Sequence, residues 1–480
     1  MDGGEMSILK GLKPKKVMCY FEEISEIPRG SGNEKAISDY LKQFAEDRDL
    51  EVIQDEVLNI IIKKDGSSGY KDKPPVILQG HMDMVCEKNQ GTEHDFLEDP
   101  IKLRIIEEYI YATNTTLGAD NGIAVAMCLA LLDSNYEHPP LEVVITVDEE
   151  TGMTGAMNMK KEYLSGKTLI NLDSEGEGIF TSGCAGGGRV TFELQKDYKD
   201  RKHNHAFMLS IKGLEGGHSG VDIHKEKGNA NKLMGRLLYT LKDEIELFKI
   251  SGGSKDNAIP REAGAGIVVN DSATLMDLLK KYNLILKTEM SVTDPLIQIE
   301  LKPVELPTVV FSNEVTRKVI QVLLLTPNGI IQKSTEIDLV ITSSNLGVIE
   351  ETEEKICFIN APRSSVESLM LAYVDEMICL ADVLDVKVII DDFYPGWAYV
   401  TNSPIRDLCF NVYKEMFKKD AIIEAIHAGL ECGFFLELMP GLDAISFGPE
   451  MHDIHTPNEH ISISSIERTF NFLLEILKQL

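Results

Sequence analysis

Three short runs of aliphatic and β-branched residues limit the fold of this chain more than any other feature. They are PPVILQGHMD (residues 74–83), LEVVITVDEE (141–150) and TLINLDSE (168–175), and each ends on histidine or acidic residues. A strongly apolar helical segment, NGIAVAMCLALLDS (121–134), separates the first two. Strands that alternate with helices predict an α/β domain on a largely parallel sheet. Such sheets hold their ligands at the carboxyl ends of the strands, so the polar strand ends are where chemistry is expected.

The flanking segments extend this reading. Residues 14–47 read as two helices split by a turn at 28–32. Val17, Phe21 and Ile24 recur at helical spacing, Ile37, Tyr40, Leu41 and Phe44 form one face of the second helix, and Asn33 is its candidate cap. The pattern changes at CAGGG (184–188), which reads as a flexible hinge. About two hundred residues follow in two successive strand–helix–strand groups, suggesting an inserted α+β lid of two units, although no residue-level repeat proves a duplication. YPGW (394–397) marks the return, and the chain ends in an amphipathic helix. The expected division is a catalytic domain in two parts, 1–186 and 398–480, with the lid at 187–397.

Bulk properties exclude some partners. With 48 basic against 77 acidic residues the net charge is −29, which argues against nucleic acid and anionic membranes as ligands. No run approaches the length of a membrane span, and residues 1–17 lack the apolar core of a signal peptide. The eight cysteines are scattered without a C-x-x-C. Reduced thiols and a cytoplasmic location are the expectation.

The strand ends carry the candidate chemistry. His81 and Asp83 lie two apart, so in extended backbone they face one side. A carboxylate beside a metal-binding imidazole fixes its orientation, but a solvated strand-end histidine fits as well. Asp120, between glycines before the apolar helix, is either an N-cap or a carboxylate bridging two cations. Glu149 and Glu150 end the second run, where one acid could bind metal while its neighbour handles protons; without a cation they form an exposed acidic loop. Asp173 closes the third run. His455, just before Pro457, is a ligand or a polar loop residue. One histidine and one acid early, acids after two later strands, and a histidine near the C-terminus make five hard-to-borderline donors, enough for two metals.

At this point the sequence resembles a known family, the dinuclear zinc peptidases that include carboxypeptidase G, the aminoacylases and the carnosinases, and within it the aminoacyl-histidine dipeptidase branch. FEEISEIPRGSGNE, ILQGHMDMVCEKN, TLGADNGIAVA, TVDEETGMTGA, LINLDSEGEG, GLEGGHSGVDI, DNAIPREA, HAGLECG and GPEMHDIHTPNE carry the likeness across nearly the whole chain. The resemblance implies that His81 and Asp173 hold one metal, Glu150 and His455 the other, and that Asp120 bridges both. Asp83 orients His81, Glu149 is general base and acid, and His218 stabilises the oxyanion from the lid, in the same chain or from a partner subunit. Asn257 and Arg363 match substrate-contacting lid positions, with a turn asparagine and a surface arginine as the alternatives. Glu431 is read as holding a substrate ammonium, or as a loop acid. The implied cofactors are two divalent ions, Zn2+ with Co2+ or Mn2+ as alternatives. The implied protein is a homodimeric dipeptidase acting on small peptides such as β-Ala-His. A tripeptidase, an N-acyl amino acid hydrolase and a non-catalytic metal-binding protein are the rivals.

Overall fold

The computed structural model describes residues 8–335 and 339–480. They form two compact units: residues 8–183, 399–425 and 431–480 in the first, and 184–335, 339–398 and 426–430 in the second. The short piece 426–430, expected within the catalytic part, belongs with the second unit.

The first unit is organised by an eight-stranded sheet. Its middle consists of four parallel strands, named here in chain order: β1 (Val76–His81), β2 (Leu141–Thr146), β3 (Thr168–Asn171) and β4 (Asp443–Ser446). They lie side by side as β2-β1-β3-β4. Antiparallel strands extend the sheet on both sides, Ile60–Lys64 beside β2 and Ile179–Cys184 beside β4. Parallel pairing demands crossovers, and the apolar segment supplies one as the helix Ala119–Leu132. All its residues except Asp120 are buried. A helix apolar all round belongs in a core, and this one packs against the sheet and the helix Lys15–Ser25. The next helix begins at Lys35, and Glu34 rather than Asn33 occupies its N-cap position.

The second unit is built on a nine-stranded antiparallel sheet. The two expected strand–helix–strand groups do not form separate units. Strand Ile245–Gly252 of the first group pairs with Val340–Glu351 of the second through Gly252 and Ile349. Helices Ala230–Leu241, Asn313–Leu325 and Glu367–Leu384 then share one core. The helix Ser272–Glu289 was not read from sequence, although Asp271 caps it through the amides of Ala273 and Thr274.

The glycine run at 186–188 is not a loop either. It opens the strand Gly186–Gln195, paired with Lys355–Ser364 and Lys387–Tyr394. A Cβ at Gly186 would lie 2.5 Å from Gly396 N and Tyr394 O. Close backbone approach, not flexibility, explains glycine there.

Candidate metal centre

The ends of β1, β2 and β3 bring the expected donors together. His81 is the last residue of β1 and is buried. Its Nε2 lies 3.3 Å from Asp120 Oδ1 and 3.4 Å from Asp173 Oδ1. The second Asp120 oxygen lies 3.2 Å from His455 Nε2, which is itself 3.0 Å from Glu150 Oε2. One carboxylate therefore spans two histidines, each with a further acid. Asp120 does not cap its helix: Gly118 takes the N-cap position, and Asp120 has non-helical backbone angles that free its side chain.

The acidic end of β2 divides its labour. Asp148 adopts a left-handed backbone, φ 57°, and its carboxylate accepts from the hydroxyls of Thr151 and Thr154, so it holds the turn. Glu149 and Glu150 donate their backbone amides to Asp83, at 3.1 and 3.3 Å. Asp83 also accepts from Ser31 Oγ at 2.8 Å and lies 3.3 Å from His81 Nδ1. This one buried carboxylate thus ties β1 to the end of β2. Glu149 Oε2 sits 4.0 Å from His81 Nε2, while Glu150 Oε1 is buried without a hydrogen-bond partner.

The donor set fits divalent cations. Two ligand atoms about 2.0–2.1 Å from one tetrahedral cation lie about 3.3 Å apart, close to the spacings just described. Atoms of His81, Asp120 and Glu150 also fall within 4.8 Å of one another. The electrostatics show the strain of so many acids. Burial raises Glu149 well above the carboxylate range despite His81, with Asp173, Glu431 and Glu150 adding to the rise. Burial likewise pushes Asp173 to about 7, against the pull of His81. Asp120 is lowered: burial opposes its charge, but His455 and His81 outweigh it. His455 rises to about 11 through its hydrogen bonds to Asp120 and Glu150.

Several contributors were not nominated from sequence. Asn121 is fully buried; its Oδ1 accepts from His81 N and its Nδ2 donates to Leu172 O at 2.8 Å, joining the ends of β1 and β3. A Cβ at Gly80 would strike that same Oδ1, so Gly80 and Asn121 require each other. Glu175 faces the cluster, and burial pushes it to about 7 with help from Asp120. Both lie inside motifs already noted, ADNG and LDSEGEG, but nothing in the spacing sets them apart from turn residues.

Glu431 departs from both expectations, each of which presumes an accessible carboxylate. It is fully buried. Its Oε2 accepts from Gln79 Nε2 and from Thr146 Oγ1, the latter at 2.7 Å, and burial pushes it to about 8.

The residues expected in the lid gather within the second unit. Gly217–His218 pairs with Ala258–Ile259, and Ser219 N donates to Asn257 O. His218 Nδ1 accepts from Gly220 N at 3.2 Å and Val221 N at 3.0 Å. The neutral ring then carries its proton on Nε2, ready to donate. Burial lowers its pKa, and Arg363 adds to the effect. Asn257 is exposed. Arg363 is not a surface residue: it is 8% exposed, in the strand Lys355–Ser364, and bonds Tyr394 Oη at 2.8 Å. His427, unassigned from sequence, lies beside them; its Nε2 pairs with Ser343 Oγ at 2.7 Å.

Comparison with known proteins gives the family. Residues 77–479 match the model of the peptidase family M20/M25/M40. The chain belongs to this family. It is 39% identical over 487 residues to a cytosol non-specific dipeptidase of Escherichia coli (strain K12), covering 99% of each protein. The crystal structure of an aminoacylhistidine dipeptidase from Vibrio alginolyticus superposes with a TM-score of 0.92 at 36% identity, covering 100% of this chain and 98% of that one. An aminopeptidase PepT from Bacillus cereus, at TM-score 0.56 and 16% identity over 98% of this chain and 99% of that one, shares the fold. Among the described residues of this family member, no helix is long and apolar enough to cross a membrane.

Proposed function

We propose that this family member is a cytoplasmic, homodimeric dipeptidase that hydrolyses unblocked dipeptides, Xaa-His and β-Ala-His among them, with two zinc ions. The observation that carries the reading is the Asp120 carboxylate, one oxygen toward His81 and the other toward His455. Full-length likeness to the two dipeptidases supports the substrate class over a tripeptidase or an acylase. In this reading the first unit is the catalytic domain and the second the lid.

His81 and Asp173 would, in this reading, hold one cation and Glu150 and His455 the other, with Asp120 placed to serve both. When bound, the cations supply Lewis acidity that lowers the pKa of water to about 7 and polarises the scissile carbonyl. Glu149 takes the proton of the attacking water and delivers it to the leaving amine. Its burial suits that task, because a carboxyl raised above the usual carboxylate range takes up a proton more readily than an exposed one. Asp83 holds the His81 ring in place. His218 offers Nε2–H to the developing oxyanion as a neutral donor. Arg363 and Asn257 contact the substrate's carboxylate and backbone.

The test is a substrate panel with the zinc-loaded chain: β-Ala-His, other Xaa-His and unrelated dipeptides, tripeptides and N-acetyl amino acids. Dipeptides should be cleaved fastest, with activity lost to a chelator and restored by zinc. Preference for tripeptides or acylated amino acids would contradict the assignment.

A further inference from the structure

Arg29 lies in the turn after the helix Lys15–Ser25 and is 2% exposed. Among the described residues, no carboxylate lies within ion-pairing distance of it. Burying a guanidinium without an ion-pair partner is costly, so the fold needs a return for it. The hydrogen bonds identify that return. Nη1 donates to Met82 O at 3.1 Å and to Asp83 O at 3.4 Å, and Nη2 donates to Gly118 O at 2.6 Å. Met82 lies between His81 and Asp83, and Gly118 lies two residues before Asp120. One planar fork therefore bridges the two loops that carry donors of the centre.

The same loop is gripped on its amide side. Leu117, Gly118 and Ala119 donate their amides to the Glu459 carboxylate at 2.7, 3.0 and 2.8 Å, and Asp120 donates at 3.3 Å. Glu459 is buried and lies four residues after His455. Packing completes the clamp: a Cβ on Gly118 or on Gly122 would lie 2.6 Å from Arg29 Nη2. Gly118 and Gly122 of LGADNG thus interlock with Arg29 of PRGSG.

We propose that Arg29 is a positioning residue that fixes the spacing between His81 and Asp120, with Glu459 as its counterpart on the amide side. A lysine carries the same charge but not the fork, so it cannot hold three carbonyls in one plane. The proposal rests on the reading that these residues hold cations, and the test separates the two. Full-length wild type, Asp120→Ala, Arg29→Lys and Gly122→Ala are stripped with a chelator and titrated with Zn2+ alone against a chromophoric competitor. Wild type that binds no zinc, or Asp120→Ala that binds it as well as wild type, overturns the metal reading itself. If that reading stands, Arg29→Lys should bind zinc about 10–100-fold more weakly, the usual effect of losing an outer support. Its kcat should fall while KM stays near the wild-type value. Arg29→Ala should regain zinc affinity in millimolar guanidinium, a rescue that a purely structural role would not give. Wild-type zinc affinity in Arg29→Lys overturns the proposal. If Arg29→Lys does not fold, Gly122→Ala decides, because it keeps the arginine and presses a methyl against it: weakened zinc binding supports the clamp, and unchanged binding overturns it.

Discussion

At the scale of single residues, adjacent acids differ because backbone geometry gives them different partners. Asp148 turns back onto two threonines, Glu150 meets His455, and Glu149 stays near His81 without joining a histidine at bonding distance. If Glu149 only moves protons, Glu149→Gln should keep its bound zinc and lose at least about 10²-fold in kcat. Metal analysis beside turnover checks this, and near-normal turnover would remove Glu149 from the mechanism. His81, Glu150 and Asp173 were legible because each ends or follows an apolar strand with another acid nearby in sequence, whereas Asp120 and His455 lie in a helix start and a loop and were carried by the motifs around them. Asn121, Glu175 and Glu459 were not legible, because their roles depend on contacts with chain 40 to 342 residues away, separations that pattern reading does not span. His427 gives a second residue-scale prediction. Burial, helped by Arg363, pulls its pKa to about 4. A folded value below the unfolded one means that its stability contribution is present above about pH 6.5 and lost as pH falls through 4. The loss amounts to up to about 3 kcal/mol. Urea unfolding at pH 7.5 and pH 4.5 should therefore differ less in His427→Gln than in wild type; equal losses would discount His427.

At the scale of elements, the short apolar runs and the apolar helix were readable because burial on every side leaves an unmistakable composition. The helix Ala119–Leu132 has almost no polar face to conceal its role. The glycine run at 186–188 was misread for the opposite reason. Glycine marks both flexible loops and strands pressed against other backbone, and only the position of residues 394–396 distinguishes them. Gly186→Ala should accordingly destabilise the protein by about 1–3 kcal/mol, the usual cost of overpacking. Denaturant titration measures it, and a neutral result would restore the loop reading. Joining of the two lid groups into one sheet was also hidden, since Gly252 and Ile349 are almost a hundred residues apart and carry no complementary signal.

At the scale of the whole molecule, the formal charge of −29 includes a buried cluster of carboxylates to which bound cations would bring balancing charge. Zinc that binds the folded chain and not the unfolded one must stabilise it, by about 2.7 kcal/mol at a hundredfold excess over Kd. Thermal melts with increasing zinc should show a rising midpoint in wild type and a much smaller rise in Asp120→Ala. The most direct test is anomalous X-ray scattering at the zinc edge from crystals of the zinc-loaded chain. The account predicts two peaks, one on each side of the Asp120 carboxylate, with His81 and Asp173 around the first and Glu150 and His455 around the second. A single peak away from Asp120, or none near these five residues, would contradict it.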